Sequence, residues 1–177
     1  GHSLGEYSAM YVSQVLSMED TFKAIQKRAQ CMNEAAVNNS GKMAAILGIE
    51  ANKINEVLKN VKSGIAQVAN YNTPEQTVIT GEEKAIEEAC ELLKEAGAKK
   101  VIMLNVSGAF HSSLMDSASN EFKTFVDSLK IQDAKIPVIT NVDALETTNA
   151  VDFKAKMPSQ INSSVKWVDS VNKMIDS

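Results

Sequence analysis

The sequence predicts an α/β fold in which a compact β-α-β-β-α-β module interrupts a second subdomain. Three observations carry this. Residues 42–107 alternate short apolar runs with amphipathic segments in that order. The flanks, residues 1–41 and 108–177, read as helices with one buried strand. A Gly-x-Ser-x-Gly turn, "GHSLG", occupies residues 1–5, and such turns join a strand to a helix.

Each element follows from local chemistry. Gly5 to about Val15 is small and apolar enough for a packed helix behind the turn. Ser17-Met-Glu-Asp20 reads as a capping box, with Ser17 placed to accept the Asp20 amide. Behind it Phe22, Ile25, Ala29, Met32 and Ala36 recur at helical spacing, and Asn38-Asn-Ser-Gly41 stops the helix. Met43–Ile49 is a short apolar run, and Ala51–Lys62 is helical through Ile54, Val57, Leu58 and Val61. Ile65–Asn70 and Thr77–Thr80 read as strands about an Asn72-Thr-Pro-Glu75 turn. Glu82–Ala96 is a helix ended by Gly97, a good left-handed cap, and Lys100–Val106 returns to strand. This order is the split arrangement of ferredoxin-like domains. Ser113-Leu-Met-Asp116 then caps a helix carrying Leu114, Met115, Ala118, Phe122, Phe125, Val126 and Leu129. Ile136–Val142 reads as a buried strand, and Asp152–Asp176 as helix with a break near Asn162-Ser-Ser164.

Bulk properties bound the function. A chain of 177 residues fits one domain, or one carrying a small insert, and buries about 70% of its unfolded surface. Hydrophobic content of 44% with 23% charged residues is that of a soluble globular protein. The net charge of −4 argues against a nucleic-acid partner. No apolar run approaches the roughly 18 residues of a membrane span, and no signal-peptide pattern is present. Cys31 and Cys90, without a CxxC pair, argue against metal or disulfide frameworks. The expectation is a cytoplasmic monomer with no metal and no cofactor.

The chemistry concentrates on a few residues. Ser3 stands between glycines that let the backbone fold tightly, and the helix behind it offers N-terminal amides to an oxyanion; the alternative is a flexible terminus. A serine nucleophile needs a base. The chain has two histidines, His2 inside the turn and His111 in "VSGAFHSSLM", on a loop at the mouth of a helix. A lone histidine is more often a surface or core residue, but this loop suits neither. Arg28 is the one arginine among 18 basic residues, at the edge of its helix's apolar stripe. It is either a snorkelling side chain or a planar fork for a carboxylate.

Taken together, "GHSLGEYSA", an arginine 25 residues after the serine, "NYNTPEQTVITG", "VSGAFHSSLM" and "ITNVDA" resemble the malonyl-CoA:acyl carrier protein transacylases of bacterial type II fatty-acid synthesis. They also resemble the related acyltransferase domains of polyketide synthases. The resemblance runs along essentially the whole chain. It implies an α/β-hydrolase-like large subdomain, residues 1–41 and 108–177, with a ferredoxin-like small one, residues 42–107. Ser3 would be the nucleophile that takes the malonyl group from malonyl-CoA, His111 its general base, and Arg28 the holder of the malonyl carboxylate. The Leu4 amide would be an oxyanion donor, with His2 beside it in the substrate site. Phe110, just before the histidine, would favour malonyl over methylmalonyl, since a smaller residue there goes with methylmalonyl in the polyketide domains. Acyl carrier protein and coenzyme A thioesters would be the partners. The family also carries a long stretch before the serine that supplies a second oxyanion amide. The family further has, past the position of the last residue here, a glycine-proline-glycine segment whose neighbourhood would orient the histidine through a backbone carbonyl. The chain thus looks like a fragment, expected to transfer poorly alone and to expose sheet edges. A serine hydrolase or thioesterase on the same residues is the rival reaction. A non-enzymatic carrier-protein-binding scaffold would leave Ser3, His111 and Arg28 unexplained.

Overall fold

The computed structural model describes residues 1–177. Helix α1 (Gly5–Val12) leaves the glycine-serine turn, and α2 (Met18–Asn38) follows after a short bend. Ser17 caps α2 as its spacing predicts: Oγ accepts the Asp20 N–H at 3.0 Å, satisfying a donor that has no partner inside the helix. The buried face of α2 differs from the expected one. Phe22 is 62% exposed and Ala29 is exposed, whereas Ala24, Arg28, Cys31 and Ala35 are buried. Small side chains on that face let α2 pack closely against the rest of the core, which a large Phe22 would prevent. Arg28 therefore lies in the middle of the buried stripe rather than at its edge.

The module follows as predicted: β1 (Lys42–Leu47), α3 (Ala51–Leu58), β2 (Ala66–Thr73), β3 (Gln76–Gly81), α4 (Glu83–Glu95) and β4 (Lys100–Met103). Its sheet has the order β2-β3-β1-β4, and every neighbouring pair is antiparallel. Side chains alternate across a strand. Ala44 and Ile46 of β1 join the core beneath α3 and α4, while Met43 and Ala45 join a cluster on the opposite face, against Phe110. Both faces are covered, so β1 reads as an unbroken apolar run. Gly97, at φ +100°, closes α4: its N–H and that of Ala98 reach the Lys94 and Leu93 carbonyls at 3.1 and 2.9 Å. Strand β4 stops at Met103, short of the expected Val106, because the chain then turns inward. Gly108 lies flat on α2, where a Cβ would meet that of Ala36 at 2.5 Å.

Beyond the module come a 3-10 turn (Ser113–Met115), α5 (Asp116–Asp127), β5 (Val138–Ile139), β6 (Glu146–Thr147), α6 (Ala150–Asn162) and α7 (Trp167–Ile175). Ser112, not Ser113, caps the turn by accepting the Leu114 N–H at 3.2 Å. Ser113 instead donates its N–H and hydroxyl to Gln67 Oε1 on β2, at 2.8 and 2.9 Å. The expected strand Ile136–Val142 shrinks to two residues paired with β6, and Ile136 is 58% exposed. Its second half bends away because Asn141 turns its N–H to the Glu6 carboxyl. The break between α6 and α7 falls where predicted, and Val165 there pairs with the edge of β2 through Ala69 and Tyr71, at 2.8 and 3.0 Å. Tyr7, Met10, Met32, Phe122, Phe153 and Met157 anchor the core of these flanking segments.

Candidate active site

The turn before α1 is built for close approach. A Cβ on Gly1 would lie 2.1 Å from the Gly5 carbonyl oxygen, so only glycine fits. Gly5 differs from the expectation: a Cβ there meets nothing within 4 Å. Ser3 adopts φ 46°, a left-handed conformation that costs on the order of 1–3 kcal/mol for a residue with a side chain. Its backbone is held from both sides. Its N–H donates to Asn141 Oδ1 at 2.6 Å, and its carbonyl accepts from Gln160 Nε2 at 3.1 Å and from the Glu6 N–H at 3.0 Å. The strain projects Oγ out of the turn.

Ser3 Oγ lies 2.9 Å from His111 Nε2. His111 Nδ1 is 2.9 Å from the Gln160 carbonyl oxygen, which can only accept, so Nδ1 carries the hydrogen and the Nε2 lone pair faces the hydroxyl. The expected orienting carbonyl beyond the last residue is thus corrected: Gln160, on α6, supplies it. His111 is 5% exposed, and burial first, then the Arg28 charge, push it down to about 4. It is an uncharged base at neutral pH.

Arg28 completes the group. Its Nη2 donates to Ser3 Oγ at 2.9 Å, and its guanidinium carbon stands 5.6 Å from the centre of the Tyr7 ring. It is 7% exposed, forms no ion pair with a carboxylate, and its Nε is buried without a partner. Burial lowers its affinity for a proton. An unpaired buried guanidinium is expensive unless something anionic arrives.

The remaining predicted residues lie around this centre. The Leu4 amide, at the entrance to α1, donates to no group of the chain and is free for an oxyanion. Phe110 is half-buried between the flanking core and the cluster under the module's sheet. His2 turns from Ser3 toward the module: its Nε2 is 2.9 Å from Asn72 Oδ1, and its ring meets Trp167 edge-on at 5.4 Å. Sequence reasoning assigned no role to Glu6, Asn141 or Gln160. Asn141 carried a signal, being an amide inside a run read as buried strand. Gln160 acts on His111 through its backbone, which every residue has. No cluster of His, Cys, Asp or Glu converges to hold a metal, and no helix is long and apolar enough to cross a membrane. A hydroxyl, a neutral imidazole and a free helix-entry amide within one site suit nucleophilic acyl chemistry.

Comparison with known proteins points the same way. Residues 1–176 match the family described as the acyl transferase domain. The malonyl CoA-acyl carrier protein transacylase of Bacillus subtilis (strain 168) is 45% identical, over 99% of this chain and 56% of its own length. The acyl carrier protein S-malonyltransferase of Vibrio cholerae O1 biovar eltor str. N16961 superposes with a TM-score of 0.96 at 36% identity, over 99% of this chain and 58% of that one. A type II polyketide synthase acyl-carrier protein complexed with its malonyl-transacylase gives 0.95 at 31% identity, over 99% and 57%. The chain spans a little over half the length of these relatives.

Proposed function

The chain belongs to the acyl transferase domain family, and from that premise we propose that it carries the chemistry moving a malonyl group from malonyl-CoA to the phosphopantetheine thiol of acyl carrier protein. The observation that carries this is the Arg28 guanidinium, buried beside Ser3 and paired with no carboxylate. A malonyl thioester brings a free carboxylate, and a planar fork holds it by two parallel hydrogen bonds. The named relatives act on, or are complexed with, the same partners.

The transfer runs in two matched halves. Ser3 Oγ gives its proton to His111 Nε2 and attacks the thioester carbon, and the Leu4 N–H faces the oxyanion. The tetrahedral adduct collapses, the C–S bond breaks, and the coenzyme A sulfur takes the proton back from His111. The malonyl group is then a seryl ester. The carrier thiol repeats the sequence in reverse, giving its proton to His111 and releasing Ser3. Neither half needs a resident cofactor. The free, buried cysteines Cys31 and Cys90 suit a reducing cytoplasm, where these thioesters are made. We read residues 42–107 as a ferredoxin-like insert, supported by the strand order β2-β3-β1-β4, and residues 1–41 and 108–177 as part of an α/β-hydrolase-like subdomain.

The test is the mass of the full-length enzyme after malonyl-CoA. One malonyl adduct is expected on wild type and none on Ser3→Ala. Arg28→Lys should cut malonyl transfer steeply, because a point charge cannot make two parallel bonds, while acetyl transfer falls little. Equal losses for both acyl groups would return Arg28 to a structural role. Free malonate in place of a labelled carrier would make the enzyme a hydrolase.

A further inference from the structure

We propose that Glu6 is a positioning residue that stands in the fold as the neutral acid and, through Asn141 and Gln160, holds the nucleophile turn and the base in register. This rests on the acyl-transfer reading of Ser3 and His111. Glu6 lies in the first turn of α1, wholly buried, and forms no ion pair. Its Oε2 accepts the Asn141 N–H at 2.7 Å. The Asn141 side chain then clamps the turn, accepting from the Ser3 N–H at 2.6 Å and donating to the Gly1 carbonyl at 2.9 Å. Gln160 is the second arm: its amide donates to the Ser3 carbonyl at 3.1 Å, and its own carbonyl holds His111 Nδ1 at 2.9 Å. The Gln160 side chain also neighbours the Glu6 carboxyl, and its amide favours the ionised form.

The protonation state follows from the hydrogen-bond count. Glu6 Oε1 and Gln160 Oε1 are both buried and both lack a partner. Two buried acceptors without a donor are costly. One proton on Glu6 Oε1 converts an orphan acceptor into a donor, and the neighbouring Gln160 side chain holds the other orphan acceptor. An unpaired carboxylate at this depth is more costly still. The hydrogen bonds from Asn141 and Gln160, and after them the Arg28 charge, favour ionisation but are outweighed by burial, which raises the Glu6 carboxyl above its ordinary range. The two arms then lock one another: Glu6 fixes which way the Gln160 amide points, and that amide fixes Ser3.

The experiment uses the full-length enzyme and the rate at which a fluorophosphonate modifies Ser3, beside malonyl transfer. Glu6→Ala should slow modification and kcat by roughly 10- to 100-fold, the effect of a small misplacement of the reacting groups, with KM little changed. Glu6→Gln should recover most of that loss, because its amide accepts from Asn141 and donates to Gln160 as the neutral acid does. Trp167, the single tryptophan, sits edge-on to His2, and its emission reports whether the turn stays packed. If Glu6→Gln is as slow as Glu6→Ala, the charge was needed and the proposal fails. It fails also if Glu6→Ala reacts at the wild-type rate. Should Glu6→Ala not fold, the infrared spectrum decides: a carboxylic-acid carbonyl band present in wild type and lost in Glu6→Gln supports the neutral acid, and loss of a carboxylate band overturns it. A wild type that reacts with the fluorophosphonate but takes no malonyl group would sink the substrate assignment, and the Glu6 comparison would still be decided by the probe.

Discussion

His111 stays uncharged because two features of its surroundings resist a second proton. Burial removes the water that would solvate the imidazolium, and the Arg28 guanidinium adds a like charge on the far side of Ser3 Oγ. The second feature changes during catalysis. A malonyl carboxylate seated on Arg28 cancels its field, so the acylating complex should hold a histidine that protonates at higher pH than the free enzyme. The acid limb of kcat/KM reports free enzyme and that of kcat the complex. With malonyl-CoA, the kcat/KM limb is therefore expected near pH 4 and the kcat limb higher. With acetyl-CoA, which leaves Arg28 unpaired, the two limbs should coincide. Both substrates giving limbs at the ordinary histidine value of 6.5 would show that His111 is open to solvent in the working enzyme.

Between β4 and the 3-10 turn, one loop sets His111 against Ser3 and packs Phe110 beside it in the chain. Gly108 presses on Ala36 of α2, Phe110 wedges between two apolar clusters, and His111 takes φ 59° and turns to Ser3. Taken as a wall of the acyl pocket, as the resemblance implies, a ring held on two sides leaves no room for an α-methyl branch. Phe110→Ser should therefore improve methylmalonyl relative to malonyl transfer, within the roughly 10- to 200-fold that one methyl group commands. An unchanged ratio with both activities lowered would make Phe110 packing alone. The loop also shows what was legible in the sequence. Capping and turn chemistry are local, so the Ser17 cap, the Gly97 stop and the order of the module could be read directly. The rotation of α2 could not, because alanines lie on more than one of its faces and the choice belongs to what packs there. The short β5 was misread for a related reason: a run of Ile and Val predicts burial, not the hydrogen-bond partners that make a strand. Ser3, His111 and Arg28 were legible as rare residues in unusual settings. Glu6 and Gln160 were not, since an acid in the first turn of a helix reads as a partner for the helix dipole and Gln160 acts on the base through its backbone.

Across the whole molecule, the site lies where the module meets the flanking segments. His2 reaches Asn72, Ser113 holds Gln67, and Val165 pairs with β2, so the turn, the base and the α6–α7 connector are each tied to the module. Placing a charge on a group buried there should therefore weaken the fold as a unit. His111 titrates near 6.5 unfolded and about 4 folded, so its neutral form is favoured in the native state. The stability this represents is complete above pH 6.5 and is lost progressively as pH falls toward 4. Glu6 has the opposite sign. Its folded pKa is raised above 4.5, so it stabilises below that pH, and this contribution fades as pH rises through the folded value. Between pH 7 and 5 the histidine contribution falls by about 2 kcal/mol, worth roughly 4–8 °C of Tm in a chain of this size, while Glu6, neutral in the fold and ionised in the unfolded chain, works against that loss. His111→Gln removes the titrating group and keeps an amide donor for the Gln160 carbonyl. Its Tm should rise as pH falls over the same interval, since Glu6 then acts alone, and below pH 4.5 the wild-type loss should steepen, because Glu6 takes on its proton in the unfolded chain as well and no longer offsets the histidine. Thermal unfolding of wild type and His111→Gln in a pH series is the measurement. Equal slopes between pH 7 and 5 would mean that another group carries the acid sensitivity, and that His111 is already wet in the folded protein.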